Sequence, residues 1–180
     1  MSTRQRDWLK NYNCFFITTT FKDWLPLFIN EDYFSIVADS ITFCLKKYDV
    51  LLIAYVFMPT HIHMVLFFND KIDPSGFMRD LKKYTSAKIR NLLIADKRLD
   101  EIQNIRYKKY GQNYKVWMDR FDCVIIKSKK VLLTKIKYIH ENPIRKDLVI
   151  KPEEWQYSSA YYYKTDIQKI INVTHAGNIC

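Results

Sequence analysis

Residues 50–68 read VLLIAYVFMPTHIHMVLFF, and their pattern decides the fold. Residues 50–58 are an apolar run rich in β-branched and aromatic side chains, which predicts a buried strand. Met58-Pro59-Thr60 breaks the run, and HIHMVLFF, residues 61–68, predicts a second strand directly after it. Two strands so close in sequence form a hairpin. His61 and His63 interrupt it. Residues i and i+2 of a strand face the same side, roughly 6.6–6.8 Å apart along the chain. Two imidazoles so placed can converge on one metal ion. The same H-x-H also suits two ordinary strand histidines. The apolar flanks favour the metal reading, because buried imidazoles need partners.

Working outward, NCFFITTTF (residues 13–21) predicts a first strand. A helix is expected from Asp32 to Tyr48, with Phe34, Val37, Ile41, Cys44, Leu45 and Tyr48 on one face. Asp73-Pro74-Ser75 opens a second helix whose stripe holds Phe77, Leu81 and Tyr84. Residues 95–114 are polar and basic and read as a loop or irregular insertion. VWMDRFDCVII (116–126) predicts a fourth strand or a strand plus bend, and Ser128 caps a helix running to Glu141, stopped by Asn142-Pro143. The order β-α-β-β-α-β plus a helix is the α+β, ferredoxin-like split βαβ pattern: an antiparallel sheet with helices on one face, plus a C-terminal helix. With 180 residues, one domain over 1–180 is expected, with 144–180 as a C-terminal extension.

Composition narrows the function classes. Hydrophobic residues make up 48% and charged residues 27%, which suits a folded core. The formal net charge of +10 points to a polyanionic partner, although a well-solvated basic surface gives the same charge. Thirteen Tyr, eleven Phe and four Trp include tyrosines among lysines at Tyr84, Tyr107, Tyr110 and Tyr114. Cations for phosphates and rings for bases are what single-strand binding requires. Cys14, Cys44, Cys123 and Cys180 are scattered, with no C-x-x-C. That argues against a zinc ribbon or a disulfide framework and predicts a reducing, cytoplasmic setting. The first thirteen residues carry no signal-peptide apolar region, and no run is long enough to span a bilayer.

KKVLLTKIKYIHENP, residues 129–143, carries the other half of a site. On a helical wheel with Tyr138 at zero, Leu132, Leu133, Ile136 and Ile139 lie between about 100° and 220° and form the core stripe. Asn142 lies at about 40°, on the same edge as Tyr138. A phenol and a carboxamide thus share an edge off the core. A carboxamide oxygen with two imidazoles suits Mg2+ or Mn2+. A partly exposed tyrosine and a helix-end Asn before Pro satisfy the same spacing. His140 falls on the core side and reads as structural.

Together MPTHIHMVL, FMRDLKKYTSAKIRNLL, VWMDRFDCVI, YIHENPIRKDLV and PEEWQYSSAYYY, in that order, resemble the HUH-type single-tyrosine transposases, in particular the IS200-like and REP-associated tyrosine transposases. The resemblance runs from about Asn13 to Tyr163 and rests on the HUH strand and the Y-I-H-x-N-P segment together. It implies a bacterial, cytoplasmic enzyme that cleaves and rejoins single-stranded DNA near hairpins. Tyr138 matches the nucleophile, giving a 5′-phosphotyrosine and a free 3′-OH. His61 and His63 match the metal-binding pair, with Asn142 as third ligand to Mg2+ or Mn2+. The partner is single-stranded or hairpin DNA, and the protein a monomer or homodimer.

This chain departs from the family at Thr60, where Asn is usual, at Cys123, where His is usual, and at Arg145-Lys146-Asp147, where small residues are common. Clusters that could track phosphates are Arg79, Lys82 and Lys83; Lys108 and Lys109; Lys127, Lys129 and Lys130; and Arg145 and Lys146. Each such cluster is more often simply a solvated face. Arg120, read as lying inside the fourth strand, is the preferred DNA contact. Two other readings remain: a related HUH nickase of replication-initiator or relaxase type, and a non-catalytic hairpin DNA-binding module on the same fold.

Overall fold

A computed structural model describes residues 13–70, 73–109 and 111–178. Residues 1–12, on which the signal-peptide reading falls, together with Tyr110 and Cys180, lie outside the described residues. The main sheet is built from β1 (Cys14–Thr20), β2 (Val50–Met58), β3 (His61–Phe68) and β6 (Asp122–Ile125). Its order is β2-β3-β1-β6 and every pairing is antiparallel. This is the expected ferredoxin-like architecture.

Both faces of the sheet are covered, which is why β2 and β3 read as continuous apolar runs rather than alternating ones. On one face Phe15 and Ile17 of β1, Leu52, Tyr55 and Phe57 of β2, and Ile62, Met64, Leu66 and Phe68 of β3 are buried. Against them pack α1 (Glu31–Tyr48), through Phe34, Val37 and Ile41, and α2 (Ser75–Ala95), through Phe77 and Leu81. Asp80 of α2 accepts hydrogen bonds from Lys47 and Tyr48 of α1 and locks the two helices together. Lys47 holds the Asp80 carboxyl well below the usual range, at about 2.

On the opposite face lie Phe16, Ile53, Val56, Met58 and Val65, covered by Leu132, Ile136 and Ile139 of α4 (Lys129–Glu141). A register shift between Leu52 and Ala54 lets Ile53 and Ala54 serve the same face and swaps the parity of the rest of β2. On β3 no such shift intervenes, so the odd-numbered His61 and His63 face α4 together with Val65. Ser128 caps α4, its Oγ accepting from Val131 N.

Four expectations need correction. Leu133 is 51% exposed, because α4 buries only the narrow stripe Leu132, Ile136 and Ile139. The insertion at 95–114 is ordered: the end of α2 is followed by α3 (Leu99–Asn104) and a hairpin of β4 (Arg106–Lys109) and β5 (Gln112–Tyr114). Gly111, at φ +73°, makes that hairpin's turn. The fourth strand spans only residues 122–125. Before it, Trp117 makes an isolated bridge to Phe21 and donates from Nε1 to Thr85 Oγ1 (2.8 Å), and the chain bends. Arg120 therefore sits, exposed, in a loop and not in a strand.

The tail is organised as a clamp on β2, the strand at the sheet's outer edge. Phe57 N donates to Tyr157 O (2.9 Å), Ser159 N to Tyr55 O (3.0 Å), and Trp155 Nε1 to Phe57 O (2.9 Å). A short helix, α5 (Ala160–Thr165), follows. Its Tyr163 hydroxyl donates to Ile53 O (3.0 Å). The backbone groups of the edge are thus satisfied by the chain itself. Among the described residues no helix is long and apolar enough to cross a membrane.

Candidate active site

His61 and His63 are 6% and 5% exposed, with ring centroids 4.7 Å apart. Antiparallel pairing sets Thr18 of β1 opposite His63 and Thr20 opposite His61. Thr18 Oγ1 is hydrogen-bonded to His63 Nδ1 (2.8 Å), and Thr60 Oγ1, from the β2–β3 turn, to His61 Nδ1 (2.9 Å). Each ring is thereby fixed through one nitrogen, which leaves Nε2 for a ligand. Burial pushes the His61 pKa down to about 4, assisted by the charge of Lys146 and opposed by a hydrogen bond with Asn142. Burial also pushes His63 down to about 3, with His61 and Lys135 adding to the effect. Both rings are neutral near pH 7, which is the form that binds a metal.

Helix α4 closes the site from above. Tyr138 packs edge-on against His63 (5.3 Å between centroids) and against Phe16 (5.8 Å), while Phe16 stacks on His63 (5.4 Å). One turn later Asn142, 5% exposed, reaches His61. The four residues read from the sequence thus meet in one place within one chain. Two neutral imidazoles, each oriented by a threonine hydroxyl, and a buried carboxamide fit a divalent cation. Among the described residues no group of three or more His, Cys, Asp or Glu side chains could hold a metal ion; beside the two histidines the nearby oxygen donor is the Asn142 carboxamide.

Cations ring the tyrosine. The Arg145 guanidinium lies over the Tyr138 ring (5.0 Å to the centroid) and donates to Glu141 Oε2 (2.8 Å). The turn Ile144–Lys146 that follows α4 also brings Lys146 within electrostatic reach of His61. Sequence reasoning missed two further residues here. Lys135 lies 4.5 Å from the Phe16 centroid and 5.9 Å from that of Tyr138; its i−3 spacing to Tyr138 was the available signal. Trp24 is 60% exposed and packs edge-on against His61 (5.6 Å). Trp24 and Asp23 both have positive φ (58° and 52°), uncommon for non-glycine residues. No sequence pattern announces it.

The other basic residues lie elsewhere. Arg79 and Lys83 are exposed on α2, and Arg120 is exposed in the loop before β6. Lys82 Nζ donates to the carbonyls of Met118 (2.8 Å) and Arg120 (3.0 Å) and supports that loop. Cys123, where the resemblance led one to expect a histidine, pairs with Ile17 and packs with the core under α1 and α2. It is on the sheet face away from His61 and His63, so the replacement removes no ligand from this site.

A family model described as "Transposase IS200 like" matches residues 11–142. Among solved structures, a REP-associated tyrosine transposase bound to a REP hairpin is similar over 90% of this chain and 86% of that one, with 18% identity and a TM-score of 0.64. A weaker likeness, with a TM-score of 0.48 and 17% identity over 72% of this chain and 88% of the other, is to a transposase candidate from Deinococcus radiodurans R1. None of the curated proteins matches significantly. The family match covers most of the chain and contains His61, His63, Tyr138 and Asn142: the protein belongs to the IS200-like transposase family, enzymes that move DNA.

Proposed function

We propose that this transposase cleaves and rejoins single-stranded DNA beside a hairpin, with Tyr138 as nucleophile and a divalent cation, Mg2+ or Mn2+, held by His61, His63 and Asn142. The observation that carries the reading is the contact of the Tyr138 ring with His63 on the helix edge that also brings Asn142 to His61. The hairpin is carried over from the similar structure, which is bound to one.

When bound, the cation polarises a phosphate oxygen and offsets charge building at phosphorus. Tyr138 Oη attacks the phosphorus. The Oη–P bond forms, the P–O3′ bond breaks, and the phenol proton ends on the released 3′ oxygen. The products are a 5′-phosphotyrosine and a free 3′-OH. Another 3′-OH reverses the step without ATP, because the phosphodiester bond energy is kept. Arg145 and Lys135 beside the Tyr138 ring, with Lys146, supply positive charge for the phosphate. Trp24, exposed next to His61, offers a stacking surface for an adjoining base.

The cleavage site draws on one protomer, and residues 144–180 act as an extension that holds it. The protein works in the cytoplasm, where its scattered cysteines stay reduced. A denaturing gel tests the reading. Labelled hairpin DNA with Mn2+ or Mg2+ should give label migrating with wild-type protein, and none with Tyr138→Phe or His61→Ala/His63→Ala. Binding without adduct on every hairpin would favour a non-catalytic DNA-binding protein.

A further inference from the structure

A second concave site lies on the far side of the sheet from His61 and His63. A cavity of about 670 Å3 runs between α2 and the segment 114–121. One wall carries Arg79, Lys83 and Arg90 of α2, and the other carries Tyr114, Met118 and Phe121. Arg79 is 75% exposed and only loosely paired with Asp80 (3.5 Å). Arg90 lies over the Tyr114 ring (5.6 Å), and Met118 is 40% exposed. Lys82 and Lys115 also line the cavity, but Lys82 holds the backbone of 118–120 and Lys115 pairs with Asp119 (2.7 Å).

We propose that this groove binds unpaired nucleotides of the DNA substrate, outside the cleavage centre. The inference rests on the DNA-processing function proposed above. Three arguments carry it. Cations facing apolar and aromatic side chains across a cleft provide both parts of single-strand binding, phosphate contacts and base stacking. The volume falls within the roughly 300–1,000 Å3 of small-ligand pockets, enough for about one or two nucleotides and too small for a duplex. The groove is also tied to the cleavage site. Met118 N donates to Thr20 O (2.9 Å), Trp117 stacks on Phe21 (4.2 Å), and Thr20 is the strand partner of His61.

The test uses full-length Tyr138→Phe protein, so the readout needs no chemistry. Oligonucleotides carry a hairpin, a single-stranded flank and 5-bromouracil at successive flank positions. Irradiation should link at least one position to the peptide containing Tyr114 or Phe121. Lys83→Gln/Arg90→Gln, both surface changes on an intact helix, should weaken binding about 10-fold. Their log–log salt dependence should be shallower by about 1.4, from about 0.7 per single-strand phosphate contact. Crosslinks confined to residues 13–24 and 135–146, with unchanged affinity and salt slope, overturn the proposal. So does equal crosslinking of the groove by a blunt duplex with no unpaired nucleotide. Failure of wild-type protein to form an adduct counts against the catalytic reading and leaves the groove result standing.

Discussion

His140 Nε2 lies 2.9 Å from Ser159 Oγ. Ser159 Oγ also accepts from Tyr55 N (3.0 Å) and donates to Tyr55 O (3.3 Å), so the imidazole is the donor of the pair. This contact joins the helix of Tyr138, the edge strand β2 and the tail at a single hydroxyl. Ser159→Ala leaves a buried imidazole N–H without its partner. Stability should fall by about 1–3 kcal/mol, read by urea unfolding. The single-turnover rate of adduct formation should fall several-fold at unchanged DNA affinity, and Ser159→Thr should restore it. An adduct rate equal to wild type in Ser159→Ala would sink the positioning role.

Thr18→Val removes the hydroxyl that orients His63 while keeping the shape of a β-branched strand residue. Affinity for Mn2+ should drop about 10–100-fold, as for other supporting partners of metal-binding histidines. Titration calorimetry on the DNA-free protein measures it. Unchanged affinity would mean that the Phe16 stack alone orients the ring.

Trp24→Ala should weaken single-strand binding about 10-fold, since one stacked base contributes about 1–3 kcal/mol. Trp24→Phe should recover most of it. Fluorescence anisotropy with a labelled oligonucleotide reads both, and an unaltered affinity in the alanine variant removes Trp24 from the DNA path.

Acid should destabilise the metal-free protein through its buried histidines. His61, His63 and His140 have folded pKa values lowered to about 4, about 3 and about 4, chiefly by burial. The unfolded chain holds its histidines near about 6.5. Between those values the unfolded state binds more protons, so stability rises with pH. Their contribution is complete above about pH 6.5 and is lost as pH falls through about 4. Urea midpoints should drop steadily from pH 7 to pH 4.5, and His140→Gln should flatten the slope by about one proton. A flat profile would show that the rings stay accessible to protons in the fold.

The sheet, both long helices, the shared face of His61 and His63 and the shared edge of Tyr138 and Asn142 were legible in the sequence, because each rests on local periodicity or spacing; that the two pairs belong together came from the family resemblance. Period 2 places His61 and His63 on one face, and a four-residue step places Asn142 beside Tyr138. What stayed hidden depends on distant pairing. The shift at Ile53 leaves no mark in an already apolar run. Trp24 reaches His61 through an unusual backbone geometry. The side of the sheet taken by Cys123 follows from its register with Ile17, and register is not visible in one strand alone. Arg120 was misplaced because an apolar neighbourhood continued past the point where the chain bends.

Residues 155–159 occupy the open side of β2, and this shapes how copies of the enzyme can meet. A second protomer cannot extend the sheet across that margin, because the backbone there is already spoken for. Any pairing of two copies must use a different surface. The tail thus closes one route to assembly.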